Sequence, residues 1–136
     1  MADDVRATMT RLYEGINEGN LDLFDVLVDE NVVEHEEFPG IPPGREGVKQ
    51  FFGMMREAFD GFRFDVEDIV VEGDKGAARV TMKGTHSGEF MGVPATGKQV
   101  NVSAIDIFRL ADGKIVEHWG VTDTMALMQQ LGAVPE

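Results

Sequence analysis

The sequence predicts an α+β fold, a strongly curved antiparallel or mixed sheet wrapped around N-terminal helices as a barrel with an internal pocket. Apolar residues recur with a helical period up to about Phe59 and with a period of two after Gly61. Gly, Asp and Pro clusters then cut the second half into strands. Those strands, with a short one near Val33, cannot hide their apolar face alone, so the first and third helices must cover it.

Taken in order, Val5, Met9, Leu12, Tyr13 and Ile16 fall on one helical face, with Gly19 as the stop signal. Asn20 is placed to cap a second, shorter helix that buries Leu21, Phe24, Leu27 and Val28. The segment DENVVEHEEFPGIPPG follows as a short extended piece running into a Pro/Gly loop from Pro39 to Gly44. A third helix is expected from about Glu46 to Phe59, with Val48, Phe51, Phe52, Met55 and Phe59 along its apolar stripe. Phe64, Val66, Asp68 and Val70 then alternate with Arg63, Asp65, Glu67 and Ile69 in a strand closed by the turn EGDKG. In the next strand Ala78, Val80, Met82, Gly84 and His86 share one face. Gly88 to Gly97 form a longer connection in which Phe90 and Met91 look exposed, as the lip of a pocket. A hairpin and a helix near Met125 to Leu131 close the chain.

The hairpin spans Gly97 to Asp123 and turns at Ala111-Asp112-Gly113. A two-residue turn at Asp112-Gly113 would place Asp106 opposite Trp119. A three-residue loop with Gly113 as a left-handed bulge would place Asp106 opposite His118, Ala104 opposite Gly120 and Phe108 opposite Val116. The second register is preferred, because it gathers Asp106, Phe108, His118 and Gly120 on one face and Ile105, Ile107, Trp119 and Val121 on the other. The second set would form an apolar outer patch through which a homodimer is expected.

With 136 residues and 43% hydrophobic content, the chain is read as one domain, 1–136, with a real core. Twelve basic against 25 acidic residues give a net charge of −13, which makes nucleic acid and anionic membrane poor partners. The absence of cysteine excludes disulfides, thiolate metal sites and a Cys nucleophile. An acidic start and the lack of a long apolar run lead to an expected cytoplasmic location.

Chemistry is expected at the three histidines. An Asp106–His118 pair has two readings: a structural hydrogen bond in a polar cluster, or an acid–base pair whose carboxylate fixes the imidazole tautomer. His35 lies in EHEE, which reads as a solvated acidic edge without a recognised metal-ligand spacing, so no metal is expected. His86 either hangs over the pocket mouth or points to water. Tyr13, Met55, Met82, Phe90 and Phe108 are the expected apolar lining, with Tyr13 either aiming its hydroxyl inward or serving as core.

The run HSGEFMGVPATGK from His86 to Lys98 and the run IDIFRLADGKIVEHW from Ile105 to Trp119 resemble the SnoaL-like polyketide cyclases, within the nuclear transport factor 2-like superfamily. The likeness extends back through ENVVEH and GREGVKQFF and forward through LMQQLG, so it covers nearly the whole chain. It implies a cone-shaped α+β barrel and an intramolecular aldol closure of an anthracycline-precursor ester without metal or cofactor. It also implies an acid–base Asp directly after the H-W pair, where this chain has Gly120, and a pocket histidine where it has Asp106. His118 and His35 match histidines of the family.

Two functions follow as expectations. One is cofactor-free acid–base chemistry, an aldol cyclisation or isomerisation, on a hydrophobic carbonyl or polyketide-like compound, with Asp106, His118 and His35 as catalytic residues. Tyr13, Met55, Met82, His86, Phe90, Phe108 and Gly120 would then contact the substrate. The other is a non-catalytic protein binding a small hydrophobic ligand. An epoxide hydrolase is less well supported, because Arg109 falls on the opposite face from Asp106.

Overall fold

The change of apolar period near Gly61 marks a change of element in the computed structural model, which describes residues 2–134. The first half holds α1 (Ala2–Glu18), a 3-10 turn (Leu21–Leu23), α2 (Phe24–Leu27), β1 (Val28–Glu34) and α3 (Gly44–Ala58). The second holds β2 (Phe59–Glu72), β3 (Lys75–His86), β4 (Gln99–Ala111), β5 (Lys114–Thr122) and α4 (Thr124–Gln130). One sheet runs in the order β1-β5-β4-β3-β2, with β1 parallel to β5 and the other neighbours antiparallel.

Helix α3 packs against both β1 and β2, which are the two edge strands. A single helix can touch both edges only if the sheet curls around it. Helix α1 fills the same concave side, against β2 and β3. Met9, Ile16, Phe24, Phe59, Val80 and Val102 sit between these layers, each no more than 1% exposed. The expected α+β architecture is therefore the one observed.

Several element ends differ from the expected ones. The second helix breaks at Val28, which turns into β1, and Asn20 makes no side-chain cap to the short turn it precedes. Phe59 belongs to β2 rather than to α3. In β2 the pairing shifts between Val66 and Asp68. That bulge moves the inward set from Phe64 to Ile69 and Val71 and leaves Val70 exposed.

The hairpin register is also corrected. Asp112 (φ 52) and Gly113 (φ 78) both take left-handed backbone, a two-residue type I′ turn between paired Ala111 and Lys114. Leu110 pairs with Ile115 but Arg109 pairs with Glu117, so Val116 is an extra, bulged residue. Asp106 consequently faces Gly120, and His118 faces Phe108. The turn alone would have put Asp106 and His118 on opposite faces, and the bulge reverses that by one residue. They share the inner face as diagonal neighbours, while Ile105, Ile107, Trp119 and Val121 lie on the outer face.

The way α3 docks yields a test. A Cβ on buried Gly47 would lie 1.7 Å from the Pro42 carbonyl oxygen, a backbone atom with little freedom to retreat. Gly47→Ala is expected to cost about 1–3 kcal/mol, as overpacking does. Thermal unfolding by circular dichroism would show a midpoint lowered by several degrees, and an unchanged midpoint would contradict this packing.

Candidate acid–base site

Strand β4 alternates strictly, so Val102, Ala104, Asp106 and Phe108 all point inward. Asp106 is the one carboxylate in that row and is 9% exposed. Tyr13, on the buried face of α1, donates its hydroxyl to Asp106 Oδ2 at 2.5 Å. From β5, His118 Nε2 lies 2.9 Å from Asp106 Oδ1, and its Nδ1 lies 2.6 Å from Glu34 Oε1. Glu34 reaches this position because the parallel register sets it beside His118. Four elements thus contribute to a single hydrogen-bonded chain, Tyr13–Asp106–His118–Glu34.

The chain is charged in a defined way. Burial alone would push the His118 imidazole down. Its hydrogen bonds to Asp106 and Glu34, and the charges of these carboxylates, outweigh that effect and raise the pKa to about 10. His118 is therefore an imidazolium at neutral pH, with both nitrogens donating. Burial, followed by the charge and hydrogen bond of Asp106 and the charge of Glu36, raises the Tyr13 hydroxyl above its ordinary range. It remains a donor.

Gly120, opposite Asp106, leaves a gap that another residue enters. A Cβ there would lie 2.3 Å from Glu36 Oε1, 2.9 Å from Asp106 Oδ1 and 2.9 Å from His118 Cε1. The Glu36 carboxyl thus rests against bare backbone beside the pair, its Oε2 accepting from the Thr122 hydroxyl at 2.9 Å. Burial raises its pKa, and the charges of Asp106 and Glu34 add to this against the Thr122 hydrogen bond and the His118 charge. Glu36, Asp106 and His118 bring potential ligand atoms within 4.8 Å of one another. Both imidazole nitrogens already donate to carboxylates, however, so His118 has no lone pair to offer a cation.

Sequence reasoning missed Glu34 and Glu36 because EHEE reads as a solvated edge. The available signal was alternation: buried Val32 points inward, and Glu34 and Glu36 follow it at intervals of two. By the same alternation His35 turns outward, which corrects its expected place beside the pocket. It bonds Glu117 at 2.6 Å and stacks on Trp119 with ring centroids 5.0 Å apart. Those partners hold it on the outer face.

The remaining expected residues divide. Tyr13, Met55, Met82, Phe90 and Phe108 are all buried. Phe90 is no exposed lip: it packs on Phe59 and Phe38, and Met91 alone is exposed there. His86 points neither to water nor to a mouth. It is fully buried, with Nδ1 held by the Thr96 hydroxyl and amide and Nε2 without a hydrogen-bond partner among the described residues. All nine phenylalanines join ring contacts that run from Phe108, beside His118, to Phe59, beside His86. The open surface grooves lie elsewhere, along Ile107 and Val70–Ala77 and along Ile105, Val121 and Met125.

Comparison with known proteins places this geometry in context. The family model described as SnoaL-like polyketide cyclase matches residues 6–131. A nogalonic acid methyl ester cyclase of Streptomyces nogalater is 29% identical over 94 residues, covering 68% of this chain and 70% of the relative. An aklanonic acid methyl ester cyclase of Streptomyces peucetius is 36% identical over 55 residues, 40% of this chain and 38% of that protein. Among solved structures, TsrD from Streptomyces laurentii superposes with a TM-score of 0.90 at 30% identity, covering 98% of both chains. IdmH from Streptomyces antibioticus gives 0.83 at 37% identity, covering 94% of this chain and 98% of that one.

The charged histidine has a measurable signature. Its folded-state pKa of about 10 lies above the ordinary 6.5. The stabilisation it brings is therefore complete below the lower value and is lost as pH rises toward the upper one. Urea unfolding midpoints should fall between about pH 7 and pH 9.5, the upper part of that window. In His118→Gln the fall should be absent, and a variant that reproduced the wild-type slope would place the titration on another group.

Proposed function

The chain belongs to the SnoaL-like polyketide cyclase family, and we propose that it carries out cofactor-free acid–base chemistry on a hydrophobic carbonyl compound, by aldol cyclisation or isomerisation. The observation that carries this reading is the buried Tyr13–Asp106–His118–Glu34 chain, set against an aromatic interior. An imidazolium held between two carboxylates presents a fixed positive charge in a low-dielectric place. Beside a forming enolate or alkoxide oxygen, that charge would offset part of the negative charge of the surrounding carboxylates. Asp106 keeps His118 charged and oriented, and Tyr13 fixes Asp106. Such a reaction moves a proton from carbon to oxygen and needs no electron acceptor.

The lining and the relatives support this substrate class. Aromatic rings and the adaptable Met55 and Met82 would admit a flat, apolar molecule by giving way to it. The names of the two curated relatives supply probes, nogalonic and aklanonic acid methyl esters. A second reading, a non-catalytic binder, rests on Gly120, since the resemblance puts the cyclases' acid–base Asp there.

The proposal includes the rest of the setting. Ile105, Ile107 and Val121 are 51%, 38% and 75% exposed and flank Trp119, a patch that pairing of two copies would cover. No helix among the described residues is long and apolar enough to cross a membrane. A chain without cysteine needs no oxidising compartment, which agrees with a cytoplasmic location.

Incubation of the protein with aklanonic acid methyl ester should give an isomer of unchanged mass and altered retention in chromatography with mass detection. Asp106→Asn should lower that rate by roughly 100-fold or more, the usual reach of acid–base groups. Binding without any conversion would favour the binder. Sedimentation velocity at micromolar concentration should show a dimer that Val121→Asp dissociates, and a wild-type monomer would rule out pairing.

A further inference from the structure

We infer that Glu36 is the group that takes the proton from the substrate carbon, and that Gly120 is glycine because this carboxyl occupies the room a side chain would need. The inference rests on the acid–base reading above and adds to it the identity of the base. Its ground is geometric: Glu36 Oε1 lies 2.3 Å from where a Cβ of residue 120 would stand. Any other residue at 120 would push the carboxyl out.

The hydrogen bonds single out Glu36 among the acids. Asp106 accepts from both Tyr13 and His118. Glu34 Oε1 accepts from His118 Nδ1 and from the Glu36 amide. Glu36 spends only Oε2, on Thr122, and among the described residues its Oε1 accepts no hydrogen bond. A carboxylate already taking two donors is a weakened base, whereas one with a free oxygen is not. Glu36 is faced by Asp106 from β4, His118 and Thr122 from β5, Glu34 from β1 and Tyr13 from α1. Burial and the two neighbouring carboxylates favour its protonated form, which suits a group that must hold a proton between two steps.

The step balances within one substrate molecule. Glu36 Oε1 takes a proton from a carbon beside a carbonyl, and the C–H electron pair becomes the enolate. That carbon bonds to a second carbonyl carbon, whose π pair moves onto its oxygen. The oxygen then takes the proton from Glu36, restoring the carboxylate and leaving a hydroxyl. The His118 charge attends both anionic stages.

Glu36→Gln should lower turnover of aklanonic acid methyl ester by about 100-fold or more, while its affinity for the ester, measured by fluorescence quenching, changes little. Glu36→Asp should retain part of the activity with a displaced acid limb in the pH–rate profile. In Glu36→Ala with Gly120→Asp, the carboxyl returns from the neighbouring strand position and activity should recover above Glu36→Ala alone. Near-wild-type turnover by Glu36→Gln, with Asp106→Asn inactive, would remove Glu36 as the base and leave the acid–base reading standing. If the wild type neither converts the ester nor exchanges its acidic C–H for deuterium, that reading falls, and the role of Glu36 falls with it.

Discussion

One imidazolium between two carboxylates ties four elements of this barrel together. His118 reaches Asp106 on the neighbouring strand and Glu34 on the parallel edge strand, and Tyr13 ties α1 to the same Asp106. The backbone reinforces the edge, with the His35 amide donating to the His118 carbonyl at 2.9 Å. Burying these charges is costly unless each finds partners. Here each ring nitrogen and the tyrosine hydroxyl has one, so the cluster selects a single arrangement of α1, β1, β4 and β5. The same satisfaction leaves His118 charged at neutral pH and unsuited to the role of base.

That constraint turns attention to the carboxyl that is not fully engaged. Gly120 and Glu36 are far apart in sequence, and neither is informative alone. Together they read as a space and the group that fills it. The resemblance places an acid at the position of Gly120, and the structure puts a carboxyl oxygen almost where that side chain would begin. Moving an acid from a central strand to the segment after the edge strand keeps its position in space while altering its route in the chain.

The fold was largely legible in the sequence because periodicity and turn chemistry are local. The strict alternation from Val100 to Leu110 told which face Asp106 would take, and Asp112-Gly113 announced the hairpin. The register was not legible, since a bulge at Val116 has no side-chain signature and depends on how β5 twists against β4. The bulge in β2 escaped for the same reason, and Val70 turned out exposed. In the site, Asp106 and His118 were found because an acid and an imidazole on apolar strands are conspicuous. Glu34 and Glu36 were hidden inside an acidic run, where composition outweighed alternation. His35 was misplaced by that run too, since its neighbours' direction fixes its own.

The account stands or falls on the ionisation of His118. Nitrogen-15 NMR of the imidazole side chains would observe it directly in the whole protein. The structure predicts two protonated ring nitrogens for His118 from neutral pH up to about pH 9, converting to a neutral ring only near pH 10. A His118 resonance showing one bare nitrogen at pH 7 would contradict the clamped imidazolium, and with it the division of roles between His118 and the surrounding carboxyls.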